Sequence, residues 1–290
     1  MFIQGNHYNW FSKDGGTRSK DDDGKNAITF CMEFYGWSFQ KAVEELTGFV
    51  PDPTADYMAY KSYKPQKPSE SVTGRVYDNS PKRVIAYLNQ RRKIDYQLIR
   101  EIIKSGKLKQ DDRGNCCFIV NDFTGGYVCD LLRGTATPQG DNSDFKAFKG
   151  QSAPQYDFGF TYGNQTNPAY LIFFEAPIDL LSFVQLVKSH SALAKIYGRR
   201  GYIPDYRNAE FLERSLLIAM GGRKHEVCRN YAQHYPDAYT ILAVDNDEAG
   251  DKFADLILHQ YRDEVRYGGR YIPELKDWNE LLVRRTEKDN

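Results

Sequence analysis

Two short apolar runs, each broken off by a carboxylate, constrain this chain more than any other feature. Tyr170-Leu171-Ile172-Phe173-Phe174 stops at Glu175 and continues as Ala176-Pro177-Ile178-Asp179. Tyr239-Thr240-Ile241-Leu242-Ala243-Val244 stops at Asp245-Asn246-Asp247-Glu248-Ala249-Gly250. Runs of β-branched and aromatic residues without polar alternation read as strands buried on both faces, the pattern of a parallel sheet. Such strands first meet solvent at their carboxyl ends, where open α/β sheets bind ligands. Glu175, Asp245 and Asp247 are therefore candidates to converge on one divalent cation, and hard oxygen ligands favour Mg²⁺ or Mn²⁺. The plainer reading of an acidic triplet is a solvated face, and Asp247 also suits the N-cap of the next helix. Placement of both segments at strand ends favours the site.

The rest of the C-terminal half repeats the alternation. Strand 170–174 leads to helix 177–188. Strand 215–219 ends at Gly221-Gly222 before a helix, and strand 239–244 leads to helix 248–262. A short strand near Val265 and a helix after Lys276-Asp277 close the chain. This order predicts a mostly parallel sheet with helices on both faces. Residues 189–212, polar and basic with Arg199-Arg200, read as an insertion.

Upstream, His7 to Phe11 has strand composition, residues 26–34 carry apolar side chains at helical spacing, and Phe39 to Leu46 forms a second helix. Ser38 is its expected N-cap and Gly48 suits its end. Pro51, Pro53, Pro65, Pro68 and Pro81, among Ser and Lys, mark a linker. Two helices are expected over 82–106. A hairpin follows, with Cys116–Val120 and Tyr127–Leu131 flanking Phe123-Thr124-Gly125-Gly126. Residues 134–150 read as loop with a short strand. The expected division is 1–50, a linker at 51–80, a middle domain at 81–164 and a C-terminal domain at 165–290. The fold class is α/β with a smaller α+β N-terminal region.

Bulk properties narrow the function only by exclusion. Lys and Arg number 39 and so do Asp and Glu, so any nucleic-acid surface must be local rather than global. Five cysteines without a CxxC pair read as free thiols in a reducing cytoplasm, with no zinc expected. No apolar stretch is long enough to span a bilayer, so a cytoplasmic protein without a membrane partner is expected. GxxxxGK[ST] is absent, as are a histidine triad and HExxH.

The segments around Glu175 and Asp179, the strand ending in Gly221-Gly222, and Val244 to Gly250 together resemble the Toprim domain. Bacterial primases, topoisomerases and some nucleases share that domain. Lys276-Asp277-Trp278-Asn279-Glu280 resembles the segment that closes it in primases. Gly24 to Phe30 with Ser38 to Leu46 resembles the second half of a primase zinc ribbon, although Phe11 to Asp23 contains neither Cys nor His. Residues from Arg83-Val84-Ile85-Ala86-Tyr87-Leu88 through Arg133-Gly134-Thr135 resemble a domain of unknown function. It precedes Toprim in proteins of plasmids and conjugative elements.

The resemblance implies a metal-dependent primase-like nucleotidyltransferase acting on single-stranded DNA in mobile-element replication or transfer. Glu175, Asp245 and Asp247 would be catalytic and would hold Mg²⁺ or Mn²⁺, with Asp179 supporting them. Arg133, Arg223, Lys224 and Lys252 are the candidate contacts to phosphate or nucleic acid. Arg223 and Lys224 follow Gly221-Gly222, where backbone N–H groups can face an anion. Gly222 and Gly250 join Gly221 as structural turns. The plainer readings are a surface salt bridge for Arg133 and a solvated side chain for Lys252. Implied partners are single-stranded DNA and nucleoside triphosphates, with a separate helicase or relaxase as a further candidate. A Toprim nuclease using the same acids, and a nucleic-acid-binding replication accessory protein, stand as alternatives. A topoisomerase needs a large gate domain with a nucleophilic Tyr, for which the chain has no room.

Overall fold

The computed structural model describes residues 2–4, 7–9, 25–47, 76–78, 80–136, 147–153, 157–189, 194–198, 204–206 and 210–288. The chain divides into two compact units, Met1–Lys67 and Pro68–Asn290. Most of the expected linker, the cysteine-free stretch from Phe11 to Asp23, Gly48 and Arg199-Arg200 lie outside the described residues.

The first unit holds β1 (Phe2–Gln4), β2 (His7–Asn9) and β3 (Lys25–Asn26) in one antiparallel sheet, followed by α1 (Ala27–Tyr35) and α2 (Phe39–Thr47). Ser38 Oγ accepts from Lys41 N at 3.2 Å, so Ser38 does cap α2.

The second unit begins with an antiparallel sheet. Its strands, in spatial order, are β4 (Tyr77–Asp78), β5 (Leu108–Asp111), β6 (Cys116–Asn121), β7 (Tyr127–Arg133) and β8 (Lys149–Gln151). The expected hairpin is β6–β7. Asp122 Oδ1 makes its turn by accepting from Thr124 N and Gly126 N, both at 2.8 Å. Between β4 and β5 lie α3 (Lys82–Ala86), which runs on as a π-helical turn over Tyr87–Arg91, and α4 (Tyr96–Lys104). Asp95 caps α4 by accepting from Gln97 N at 2.8 Å.

The remainder forms β9 (Phe160–Gly163), β10 (Tyr170–Phe174), α5 (Pro177–Lys188), β11 (Ala194–Gly198), β12 (Ser215–Ala219) and α6 (His225–His234). It ends with β13 (Tyr239–Leu242), α7 (Glu248–Gln260), β14 (Tyr267–Pro273) and α8 (Trp278–Lys288). The sheet order is β11-β14-β13-β10-β12-β9, with the four inner strands parallel and both edge strands antiparallel. The mostly parallel α/β sheet expected from the alternation is therefore present. Strand β11 arises inside the segment expected to be an insertion. Its five residues sit among polar and basic neighbours, so no periodicity marks them. The strand expected near Val265 is seven residues long and begins at Tyr267, and its register with β13 shifts between Thr240 and Ile241, beside Gly269 at φ +153°.

Strand period 2 splits the sheet's side chains between two cores. Ile172, Phe174, Leu217, Ala219 and Ile241 pack with α5 and α8, and with Phe118, Val120 and Leu131 of the antiparallel sheet. Leu171, Phe173, Leu216, Ile218 and Leu242 pack on the other face with Tyr231 of α6 and Phe253 and Ile257 of α7. The antiparallel sheet thus shares a core with one face of the parallel sheet. This seats β7 and β8 beside the carboxyl ends of β10 and β12.

Candidate active site

A cleft of about 400 Å³ opens at those carboxyl ends. It is lined by the acids Glu175, Asp179, Asp245 and Asp277 and by the cations Arg92, Arg133 and Lys149. The acids come from the segments where the inner strands end. Glu175 directly follows β10, Asp179 lies in the first turn of α5, Asp245 follows β13 and Asp277 precedes α8.

Asp245 is the centre of this arrangement. Its Oδ1 is buried and has no hydrogen-bond partner, a costly state for a carboxylate that nothing neutralises. Burial, reinforced by the charges of Glu175, Asp277 and Asp247, pushes its pKa up to about 7, opposed by Lys149. The backbone beneath it is tightly fixed. Arg270, itself buried, donates from Nη2 to Asp245 O at 2.8 Å, and its Nη1 reaches Asp251. A Cβ on Gly250 would stand 2.1 Å from Asp245 O, so only glycine permits this turn. Asn246 ties the loop to the end of β14, donating from N to Lys276 O at 2.7 Å and from Nδ2 to Pro273 O at 3.1 Å.

The second acid of the Asp-Asn-Asp triplet does a different job. Asp247 is the N-cap of α7, accepting from Gly250 N at 2.8 Å, and it does not line the cleft. It acts on Asp245 through charge alone. Asp179 is buried, accepts from Asn279 N at 3.2 Å, and is held well above the usual carboxylate range. Burial is the main cause, followed by the charges of Asp277 and Asp245.

The candidate cations separate into distinct roles. Arg133 lines the cleft. Arg223 lies against Glu175, its Nη1 donating to both carboxylate oxygens at 3.0 and 2.9 Å. Lys224 donates to Gln151 Oε1 at 2.8 Å, and burial lowers its pKa. Lys252 is exposed and pairs with Glu248 one turn back. Gly221, at φ +75°, faces Leu131 so closely that a Cβ would lie 2.6 Å from its side chain. Gly222 N donates to Glu175 O at 2.9 Å, which joins the glycine turn to the end of β10. Among the described residues, no three His, Cys, Asp or Glu side chains stand close enough together to hold an ion between them. Arg223 already occupies Glu175.

Several site residues have no signal of their own in the sequence. Asp277 was visible only as part of the closing Lys-Asp segment, where its Oδ1 caps α8 by accepting from Glu280 N at 2.7 Å. Trp278 donates from Nε1 to Ala243 O at 2.8 Å and so anchors the strand that delivers Asp245. Asn279 is buried, accepts from Arg92 Nη1 at 3.0 Å and donates to Arg92 O and Ser182 Oγ, both at 2.9 Å. Arg92 and Lys149 lie 187 and 128 residues from Asn279 and Asp277 in the chain (279 − 92; 277 − 149), beyond the reach of any local pattern. All five cysteines are buried and none forms a disulfide.

Residues 172–282 match the Toprim-like family, and residues 86–165 match a family described as a protein of unknown function, DUF3991. The chain therefore carries a C-terminal Toprim-like domain preceded by a DUF3991 domain. A Bacillus anthracis protein, the uncharacterized protein pXO2-78, is 29% identical over 221 residues. The match covers 68% of this chain and 56% of that protein, so it spans little more than half of the relative's length. Among solved structures, a DnaG primase catalytic domain bound to single-stranded DNA is 15% identical with a TM-score of 0.40, covering 76% of this chain and 74% of that one. The zinc-binding and RNA polymerase domains of the Aquifex aeolicus primase are 13% identical with a TM-score of 0.36, covering 92% and 69%. No helix among the described residues is long and apolar enough to cross a membrane.

Proposed function

We propose that this protein is a metal-dependent, primase-like nucleotidyltransferase that acts on single-stranded DNA in the replication or transfer of a mobile element. The observation that carries the reading is the unpartnered, buried Oδ1 of Asp245, set among acids at strand ends in a cleft that cations also line.

Two cleft acids would supply oxygen donors to a hard divalent cation, the rest of whose coordination would fall to phosphate and water. Asp245 offers a free carboxylate oxygen, and Glu175 and Asp277 line the same cleft, all oxygen donors of the kind Mg²⁺ and Mn²⁺ prefer. Asp245 and Glu175 would hold the ion, with Asp247 adding charge from behind. Once bound, the cation would neutralise phosphate oxygens and activate a hydroxyl. For Glu175 to take part, its carboxylate must leave Arg223, and the freed guanidinium can then meet phosphate. Arg133 would bind phosphate as a planar five-donor group suited to bidentate contact. Asp179, whose pKa burial raises, accepts from Asn279 N and supports the start of α8 rather than the reacting atoms.

The test is incorporation of labelled nucleotides on a single-stranded template with Mg²⁺ or Mn²⁺. Wild-type protein should incorporate, and Asp245→Ala should abolish incorporation. Absence of incorporation with either metal would sink the reading. Cleavage of DNA by the same preparation in metal without nucleotides would instead show that these acids serve a nuclease.

A further inference from the structure

The cationic lining of the cleft contains an arrangement that the acids do not explain. Tyr87 is 6% exposed, and its hydroxyl oxygen is approached by two guanidinium groups. Arg92 Nε donates to it at 2.8 Å and Arg133 Nε at 3.3 Å. Arg92 also lies over the Tyr87 ring, 5.3 Å from its centroid, and its Nη1 is fixed on Asn279. Lys149 stands opposite Arg133 in the β7–β8 register. Among the described residues, no carboxylate is within ion-pair distance of Arg92, Arg133 or Lys149, yet all three line the cleft.

Holding two guanidinium groups on one neutral oxygen concentrates like charge, which is unfavourable until an anion lies between them. A phenolic oxygen can accept both N–H groups and still has its own O–H to donate. The Nη edges of Arg133 remain open for bidentate contact. The cleft volume of about 400 Å³ falls in the range of small-molecule sites.

We infer that Tyr87 is a positioning residue that sets Arg92 and Arg133 as one clamp for the triphosphate of a nucleoside triphosphate, with Lys149 at its rim. The inference rests on the nucleotidyl-transfer reading for the choice of ligand. Convergence on one oxygen suits an anion whose charges sit on adjacent phosphoryl groups. A nucleic-acid backbone, with a single charge per phosphate, spreads its charge along the strand and is matched instead by cations spaced along a groove. The assignment gives the DUF3991 part of the chain a role: Tyr87, Arg92, Arg133 and Lys149 all come from it, and the acids come from the Toprim-like part.

The experiment is calorimetric titration of the full chain with ATP, with inorganic tripolyphosphate and with a single-stranded oligonucleotide lacking a 5′-triphosphate. Wild type is compared with Tyr87→Phe and Arg133→Lys. Tyr87→Phe keeps the buried ring beneath Arg92, and Arg133→Lys keeps the charge but loses the Nε contact. Both should weaken ATP and tripolyphosphate binding by about tenfold, a loss expected for one charge-assisted hydrogen bond. Oligonucleotide binding should change less than twofold. In turnover, Tyr87→Phe should raise KM for nucleotide while leaving kcat near wild type. Unchanged ATP and tripolyphosphate affinity in both variants overturns the clamp, as does a loss confined to the oligonucleotide. Triphosphate binding that depends on Tyr87, in a protein that incorporates no nucleotide, supports the clamp and refutes the transferase reading.

Discussion

Asp245 shows how a single residue can carry a site's electrostatics. Its folded-state pKa is raised, so between the ordinary carboxylate value and about 7 the folded chain holds a proton that the unfolded chain has released. In metal-free protein this makes stability fall as pH rises through that window. Asp245→Asn should accordingly raise the melting temperature of the metal-free chain at pH 8, with the difference vanishing toward pH 4. An equal difference at both pH values would contradict the assignment. Arg223 makes the complementary prediction. Because its guanidinium engages both oxygens of Glu175, Arg223→Ala should free that carboxylate and tighten Mn²⁺ binding several-fold, as read by electron paramagnetic resonance. Weaker binding would mean that Arg223 organises Glu175 rather than competing for it. Asp247 illustrates the limit of reading an acidic triplet: its spacing from Asp245 says nothing of direction, and the turn gives its side chain to the helix cap.

At the scale of elements, the strand ends are held by contacts made across the sheet. The Trp278 indole reaches Ala243 O, and Asn246 reaches Lys276 O, so α8 and β14 position the loop carrying Asp245. Trp278→Phe loses one buried hydrogen bond and part of a buried ring system, and it should cost about 2–4 kcal/mol in denaturant unfolding. The loss should extend to metal affinity, because the carbonyl it leaves unpaired lies two residues before Asp245. Strands β10, β12 and β13 were legible as short continuous apolar runs, and helices α5, α7 and α8 as the longer segments that alternate with them. Strand β11 was not, since an antiparallel edge strand needs no continuous apolar run. The extra length of β14 was hidden as well, because its Gly268-Gly269 pair breaks the strand pattern.

For the second unit as a whole, one apolar core joins the antiparallel sheet to the parallel one through Phe118, Phe160, Phe174 and their neighbours. Phe118 and Phe160 stand edge to face with centroids 5.4 Å apart, and Gly221 lets Leu131 come close to the end of β12. Residues 68–290 should therefore unfold in a single calorimetric transition. Phe118→Ala, in the antiparallel sheet, should destabilise that entire transition by about 3–5 kcal/mol. Two resolved transitions, only one of them moved by the mutation, would show separate cores. The shared core brings Arg133 and Lys149 of the antiparallel sheet to the same cleft as Glu175 and Asp245, which follow strands of the parallel one.

The sequence alone determined the alternation of strands and helices, the sheet class, the hairpin and the acids at strand ends. These follow from continuous apolar runs, from turn residues such as Gly125-Gly126, and from the rule that buried strands expose their carboxyl ends. Tertiary structure alone decided which acids share a cleft, that Arg223 sits on Glu175, and that Arg92 and Arg133 meet on Tyr87. Arg223 and Glu175 are 48 positions apart and Arg133 and Tyr87 are 46 apart, so these contacts arise only once the chain has packed. Local pattern records which face a side chain takes, and packing chooses its partners.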